Sequence, residues 1–124
     1  MKKLRVGVVG SGVGRGHIEA YVKLPEMYEV VALCDLQPER RNMVADMFGV
    51  PERPDRMEAL YDLGLDIIDL CTPSGLHFDQ ATAAMEVGYD VVIEKPAARS
   101  LAEMDALIET SARTGSTACP IFRS

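Results

Sequence analysis

No run of apolar residues in this 124-residue chain approaches the roughly twenty needed to cross a bilayer, so no membrane partner is expected. Near the amino terminus the apolar run Val6 to Val9 is too short for a signal peptide and is closed by Gly10. There is no Cys-x-x-Cys pair. The three cysteines, Cys34, Cys71 and Cys119, are odd in number and sit in or beside apolar runs like small core residues, which argues against a disulfide framework and points to a reducing cytoplasm. Histidine is limited to His17 and His77, too few for a histidine-rich ligand set, and no metal is expected. The phosphate-clamping pattern G-x-x-x-x-G-K-[ST] is missing, which disfavours phosphoryl transfer. A basic stripe is missing too: 13 Lys and Arg are scattered among 19 Asp and Glu, for a net charge of -6, so no nucleic-acid partner is expected.

What is present has the size of one domain and needs neither metal nor disulfide to fold. Short β-branched runs alternate with longer amphipathic segments, the signature of β-α units building a parallel sheet covered on both faces. The pattern predicts strands over Leu4 to Val9, Val30 to Cys34, Asp66 to Leu70, Val91 to Ile93 and Thr117 to Phe122. Helices are predicted over Ile18 to Leu24, Pro38 to Phe48, Phe78 to Val87 and Leu101 to Thr114. Gly49, Gly88 and Gly115 serve as helix stops, and Ser100 with Glu103 as a capping box. Val50 to Pro54 reads as a short edge strand at most, and Met57 to Leu63 as one or two helical turns. The seven methionines, Met43 and Met47 among them, read as core filler.

Chemistry gathers where the predicted strands end. Gly10-Ser11-Gly12-Val13-Gly14-Arg15-Gly16 follows the first strand and opens the first helix, the context in which a glycine-rich run cradles phosphate. Gly10 permits the tight turn and Gly12 lets a pyrophosphate approach the backbone, while the third position of G-x-G-x-x-G falls on Arg15. Asp35 closes the second strand where an acidic residue accepts from a ribose diol, or serves as a turn former or cap. It would repel a 2'-phosphate and so favours NAD, although Arg40 or Arg41 could offset the repulsion and admit NADP. Thr72, after the fourth predicted strand, can face a cofactor; His77 opens the next helix as a contact or a cap. Lys95, in Glu94-Lys95-Pro96, stands where a buried strand stops. Partial dehydration there would lower its pKa and suit it to proton transfer; the alternative is a solvated lysine after a strand.

Taken together, Gly10-x-Gly12 with His17, Asp35, Cys71-Thr72-Pro73 with His77, and Glu94-Lys95-Pro96 resemble the glucose-fructose oxidoreductase, inositol dehydrogenase and rhizopine-catabolism (Gfo/Idh/MocA) family over the whole chain. The resemblance implies a doubly wound α/β Rossmann domain spanning residues 1–124 and binding NAD, with NADP not excluded. It implies a complete enzyme that moves a hydride between nicotinamide and a sugar, cyclitol or related polyol, with a second domain that supports substrate binding and homo-oligomer formation, the oligomeric state itself being left open. Lys95 would be the catalytic lysine at the reacting hydroxyl, aimed by Pro96. Cofactor contacts would come from Gly10, Ser11, Gly12, Val13, Gly14, Asp35, Thr72, Pro73, His77 and Glu94, with Glu94 near the nicotinamide ribose and His17 structural. The family's second domain is not found before Ser124, so the chain is expected to bind cofactor yet turn over poorly. A stand-alone nucleotide-binding module is the alternative. A methyltransferase would use the glycine run but leaves Glu94-Lys95-Pro96 and the Thr72 to His77 run without a purpose.

Overall fold

The computed structural model describes residues 2–94 and 100–120. Five parallel strands form one sheet in the order β2-β1-β3-β4-β5: β1 Leu4–Val9, β2 Tyr28–Cys34, β3 Ile67–Leu70, β4 Asp90–Ile93 and β5 Ala118–Pro120. Four α-helices connect them: α1 Ser11–Val22, α2 Pro38–Phe48, α3 Ser74–Val87 and α4 Leu101–Thr114. The region Val50 to Pro54, predicted as a short edge strand, makes a single parallel bridge, Ala32 to Glu52, beside β2. A 3-10 helix, Met57–Asp62, leads back towards β3.

Alternation along the strands builds two cores, one on each sheet face. Val6, Val8 and Leu33 pack with Ile18 of α1 and with Val44 and Ala45 of α2. Val9, Ile68, Leu70, Val91 and Ile93 pack on the other face with Leu60, with Ala81, Ala84 and Met85 of α3, and with Leu107 of α4. The helix stops fall as the sequence predicts: Gly49, Gly88 and Gly115 cap α2, α3 and α4 in left-handed conformations. Ser100 Oγ accepts from the Glu103 N–H at 3.1 Å, forming the predicted cap of α4.

Several expectations need correction. α1 begins at Ser11 rather than Ile18 and α3 at Ser74 rather than Phe78, because both helices start directly from the turn that leaves a strand, before any apolar periodicity appears. Met43 and Met47 are about half exposed, since Val44 and Ala45 hold the buried side of α2. Cys119 is exposed, while Cys34 and Cys71 are buried. The predicted last strand is seen over Ala118–Pro120; its continuation to Phe122 lies outside the described residues.

Candidate functional site

The strand order reverses about β1 and β3, and in such sheets the crevice at the carboxyl ends of the diverging strands is where ligands sit. A cleft of about 710 Å³ opens there, lined by Gly10, Gly12 and Val13 after β1, Asp35 after β2, and Thr72 and Pro73 after β3. Its volume falls in the range of small-molecule and cofactor sites.

Glycine is required at two points of the turn. Gly10 has a φ of 99° and a Cβ there would stand 2.8 Å from the Cys71 carbonyl oxygen, so the turn is tight against the end of β3. A Cβ on Gly14 would lie 2.8 Å from Val8 Cγ1, which makes Gly14 the residue that lets α1 close onto β1. That is the packing role of the third glycine in the dinucleotide fingerprint, and it does not fall on Arg15, which is exposed. The departure seen in the sequence is a shift by one residue.

Asp35 is the electrostatic centre of the cleft. Its Oδ2 accepts from the Ser11 N–H at 2.7 Å and the Ser11 hydroxyl at 2.5 Å, and its Oδ1 from the Gln37 N–H at 2.9 Å. Arg40 donates from Nε to Ser11 Oγ at 2.9 Å and lies 3.3 Å from Asp35 Oδ2. Burial pushes the Asp35 carboxyl up, but the bonds from Gln37, Ser11 and Arg40 outweigh it and hold the pKa at about 2. Oδ1, with one donor, keeps capacity for a further hydroxyl.

The remaining predicted residues divide by position. Ser11 and Gly14 are buried behind the cleft and act through Asp35 and the α1–β1 contact. Thr72 donates to Gln80 Oε1 at 2.5 Å, and both line the cleft. His77 is buried at the first turn of α3, where its Nε2 meets the Thr72 carbonyl, so it supports the loop rather than facing the cleft. Glu94 is buried beyond the cleft lining, beside His17. Lys95 and Pro96 lie outside the described residues.

A second polar cluster was not foreseen. His17 Nδ1 lies 2.7 Å from Asp69 Oδ2 and its Nε2 2.6 Å from Glu94 Oε1. Tyr21 donates to Asp69 Oδ2 at 2.6 Å, and the Cys71 thiol to Oδ1 at 3.3 Å. The hydrogen bond to Asp69 raises the His17 pKa, with Glu94 adding to it against the lowering effect of burial. Desolvation and the Asp69 charge also push the Tyr21 hydroxyl up, keeping it a donor. His17, Asp69 and Cys71 offer atoms within 4.8 Å of one another, and these atoms are linked in one hydrogen-bonded network with Tyr21 and Glu94. Asp69 inside the apolar strand Ile67–Leu70 was the available signal, because a carboxylate buried in a strand needs partners.

Residues 4–122 match the oxidoreductase family with the NAD-binding Rossmann fold. This chain belongs to that Gfo/Idh/MocA family. The family is enzymatic, its curated members including dehydrogenases. The chain is 34% identical to a glycosyl hydrolase family 109 protein of Porphyromonas gingivalis, over 92% of this chain and 26% of that protein. It is 32% identical to a 4-carboxy-2-hydroxymuconate-6-semialdehyde dehydrogenase of a Sphingobium species, over 90% of this chain and 36% of that protein. Among solved structures it is similar to the WlbA dehydrogenase of Bordetella pertussis in complex with NADH and UDP-GlcNAcA, with a TM-score of 0.90 and 29% identity, covering 97% of this chain and 37% of that one. This Gfo/Idh/MocA chain thus spans about a quarter to just over a third of the length of these relatives. Among its described residues no helix is long and apolar enough to cross a membrane.

Proposed function

We propose that the domain holds a nicotinamide dinucleotide in the cleft and that the whole protein moves a hydride between it and a sugar, cyclitol or related polyol. The observation that carries this reading is the glycine turn: Gly10 and Gly14 are tight on one side, while Gly12 and Val13 at the start of α1 face the cleft beside Asp35. The donor set fits the cofactor. N–H groups opening a helix and its dipole suit a pyrophosphate, and an Asp35 ionised at neutral pH suits a ribose diol. Thr72 and Pro73 form the opposite wall, His77 steadies the Thr72 loop, and Glu94 is assigned to the nicotinamide ribose.

Bound nicotinamide supplies the site that accepts or donates hydride. Lys95 is assigned to the reacting oxygen, where a cation stabilises charge that develops as the hydroxyl gives up its proton. Sugar-class substrates are supported by the UDP-GlcNAcA complex of the WlbA relative and by the glycosyl hydrolase relative. The substrate wall is assigned to the part of the relatives' length that this chain does not span, so these residues bind cofactor and turn over slowly. Asp35 favours NAD, and Arg40 beside it leaves NADP admissible. Three free thiols favour the reducing cytoplasm.

Isothermal titration of the folded chain with NADH and NADPH tests the assignment. Saturable binding, tighter for NADH, is expected. A folded sample that binds neither overturns it.

A further inference from the structure

His17 comes from α1, Asp69 from β3, and Glu94 follows β4, so the cluster they form joins three elements at the carboxyl edge of the sheet. Both ring nitrogens of His17 face carboxylate oxygens, at 2.7 and 2.6 Å. A neutral imidazole offers one donor and one acceptor, and an ionised carboxylate only accepts. Two such contacts therefore hold one proton more than a neutral ring between two carboxylates would carry. The surroundings decide where it resides. Asp69 also accepts from Tyr21 and from Cys71, and its hydrogen bond to the ring, with that of Glu94, raises the ring's pKa, which favours both protons on the ring. Among the described residues, the groups facing the ring are Tyr21 of α1, Asp69 and Cys71 at the end of β3, and Glu94 after β4; Tyr28 of β2 lies behind Tyr21, with ring centroids 5.0 Å apart. Among these groups the imidazolium is the cation.

We propose that His17 is a positioning residue that donates from both ring nitrogens, tying the Glu94 carboxylate to buried Asp69 and fixing the strand end from which the chain runs into Lys95. This rests on the reading of Glu94 and Lys95 as the nicotinamide end of the site. A ring that has lost a proton serves one carboxylate only. The tie between Asp69 and Glu94 through the ring is then broken. Cofactor affinity therefore falls as the ring deprotonates.

Nitrogen-15 NMR of the His17 ring in the unliganded 124-residue chain tests the bridge directly. Protons on both ring nitrogens are expected near pH 7. Glu94→Gln, which removes one carboxylate while preserving shape, should lower the titration midpoint of the ring by on the order of one pH unit. A neutral ring near pH 7, or a midpoint unmoved by Glu94→Gln, overturns the proposal. NADH titrations across pH then read the positioning role: wild-type affinity falls above the ring's midpoint, and His17→Gln or Glu94→Gln flattens that profile. An unchanged profile in both variants overturns the role, and Glu94→Gln suffices if His17→Gln does not fold. The ring measurement needs no nucleotide. A chain with a doubly protonated ring that binds no NADH would sink the cofactor reading and leave the bridge standing.

Discussion

Ser11 and Asp35 meet across the end of the sheet through two hydrogen bonds to a single carboxylate oxygen, at 2.7 Å from the Ser11 N–H and 2.5 Å from its hydroxyl. The start of α1 and the end of β2 are thereby joined at the point where a dinucleotide's ribose would lie. Asp35 thus serves the fold as well as the proposed ribose contact, and its charge is set before any ligand arrives.

Acid should expose that link. The Asp35 pKa is depressed from 3.8 to about 2, so its contribution to stability is fully present above 3.8 and is lost as pH falls towards 2. Urea unfolding of wild type and Asp35→Asn should converge over that interval and differ most above it. A gap between the two that stays constant down to about pH 2 would contradict the assignment.

Asp35→Ser should change cofactor preference. Repulsion of a 2'-phosphate is removed, and Arg40, now 3.3 Å from the carboxylate, becomes available to an anion. The ratio of NADPH to NADH affinity is expected to rise by about tenfold or more, as titration of both nucleotides would read.

Two glycines of α1 should respond with opposite sign. A Cβ on Gly14 meets Val8 Cγ1 at 2.8 Å, whereas one on Gly16 meets nothing within 4 Å. Gly14→Ala is expected to destabilise by about 1 to 3 kcal/mol through overpacking. Gly16→Ala is expected to stabilise by up to about 1 kcal/mol through helix propensity. Chemical denaturation of the pair decides it, and equal effects would refute close packing at Gly14.

Removing Asp69 should be severe. Asp69→Ala leaves partly buried Tyr21 and His17 without their shared acceptor, and breaking such a pair from one side costs about 3 to 5 kcal/mol. A loss below about 1 kcal/mol in urea unfolding would show that the cluster does not hold α1 to β3.

The thiols should separate by rate. Cys119 is exposed, while Cys34 is buried and its pKa is pushed up to about 12, chiefly by desolvation. In the native state an aromatic disulfide reagent should label Cys119 first, with Cys34 and the buried Cys71 following only on unfolding. Rapid labelling of Cys34 would contradict its burial.

By itself the sequence determined the alternation of strands and helices, the glycine turn after β1 and the acidic residue after β2, because these depend on neighbours in the chain: periodicity, helix stops and turn chemistry. It also carried the family motifs, although the true starts of α1 and α3 escaped it, since helices that leave a strand through a tight turn show no apolar period in their first turn. Arg40 could be placed near Asp35 from spacing, but not its bond to Ser11, which spans 29 residues. Only the tertiary structure put Gly14 against Val8 and brought His17 to Asp69 and Glu94, 52 and 77 residues away. Those contacts follow from which strands lie side by side. The order β2-β1-β3-β4-β5 sets α1 beside the ends of β3 and β4, and no local pattern in the chain encodes that adjacency.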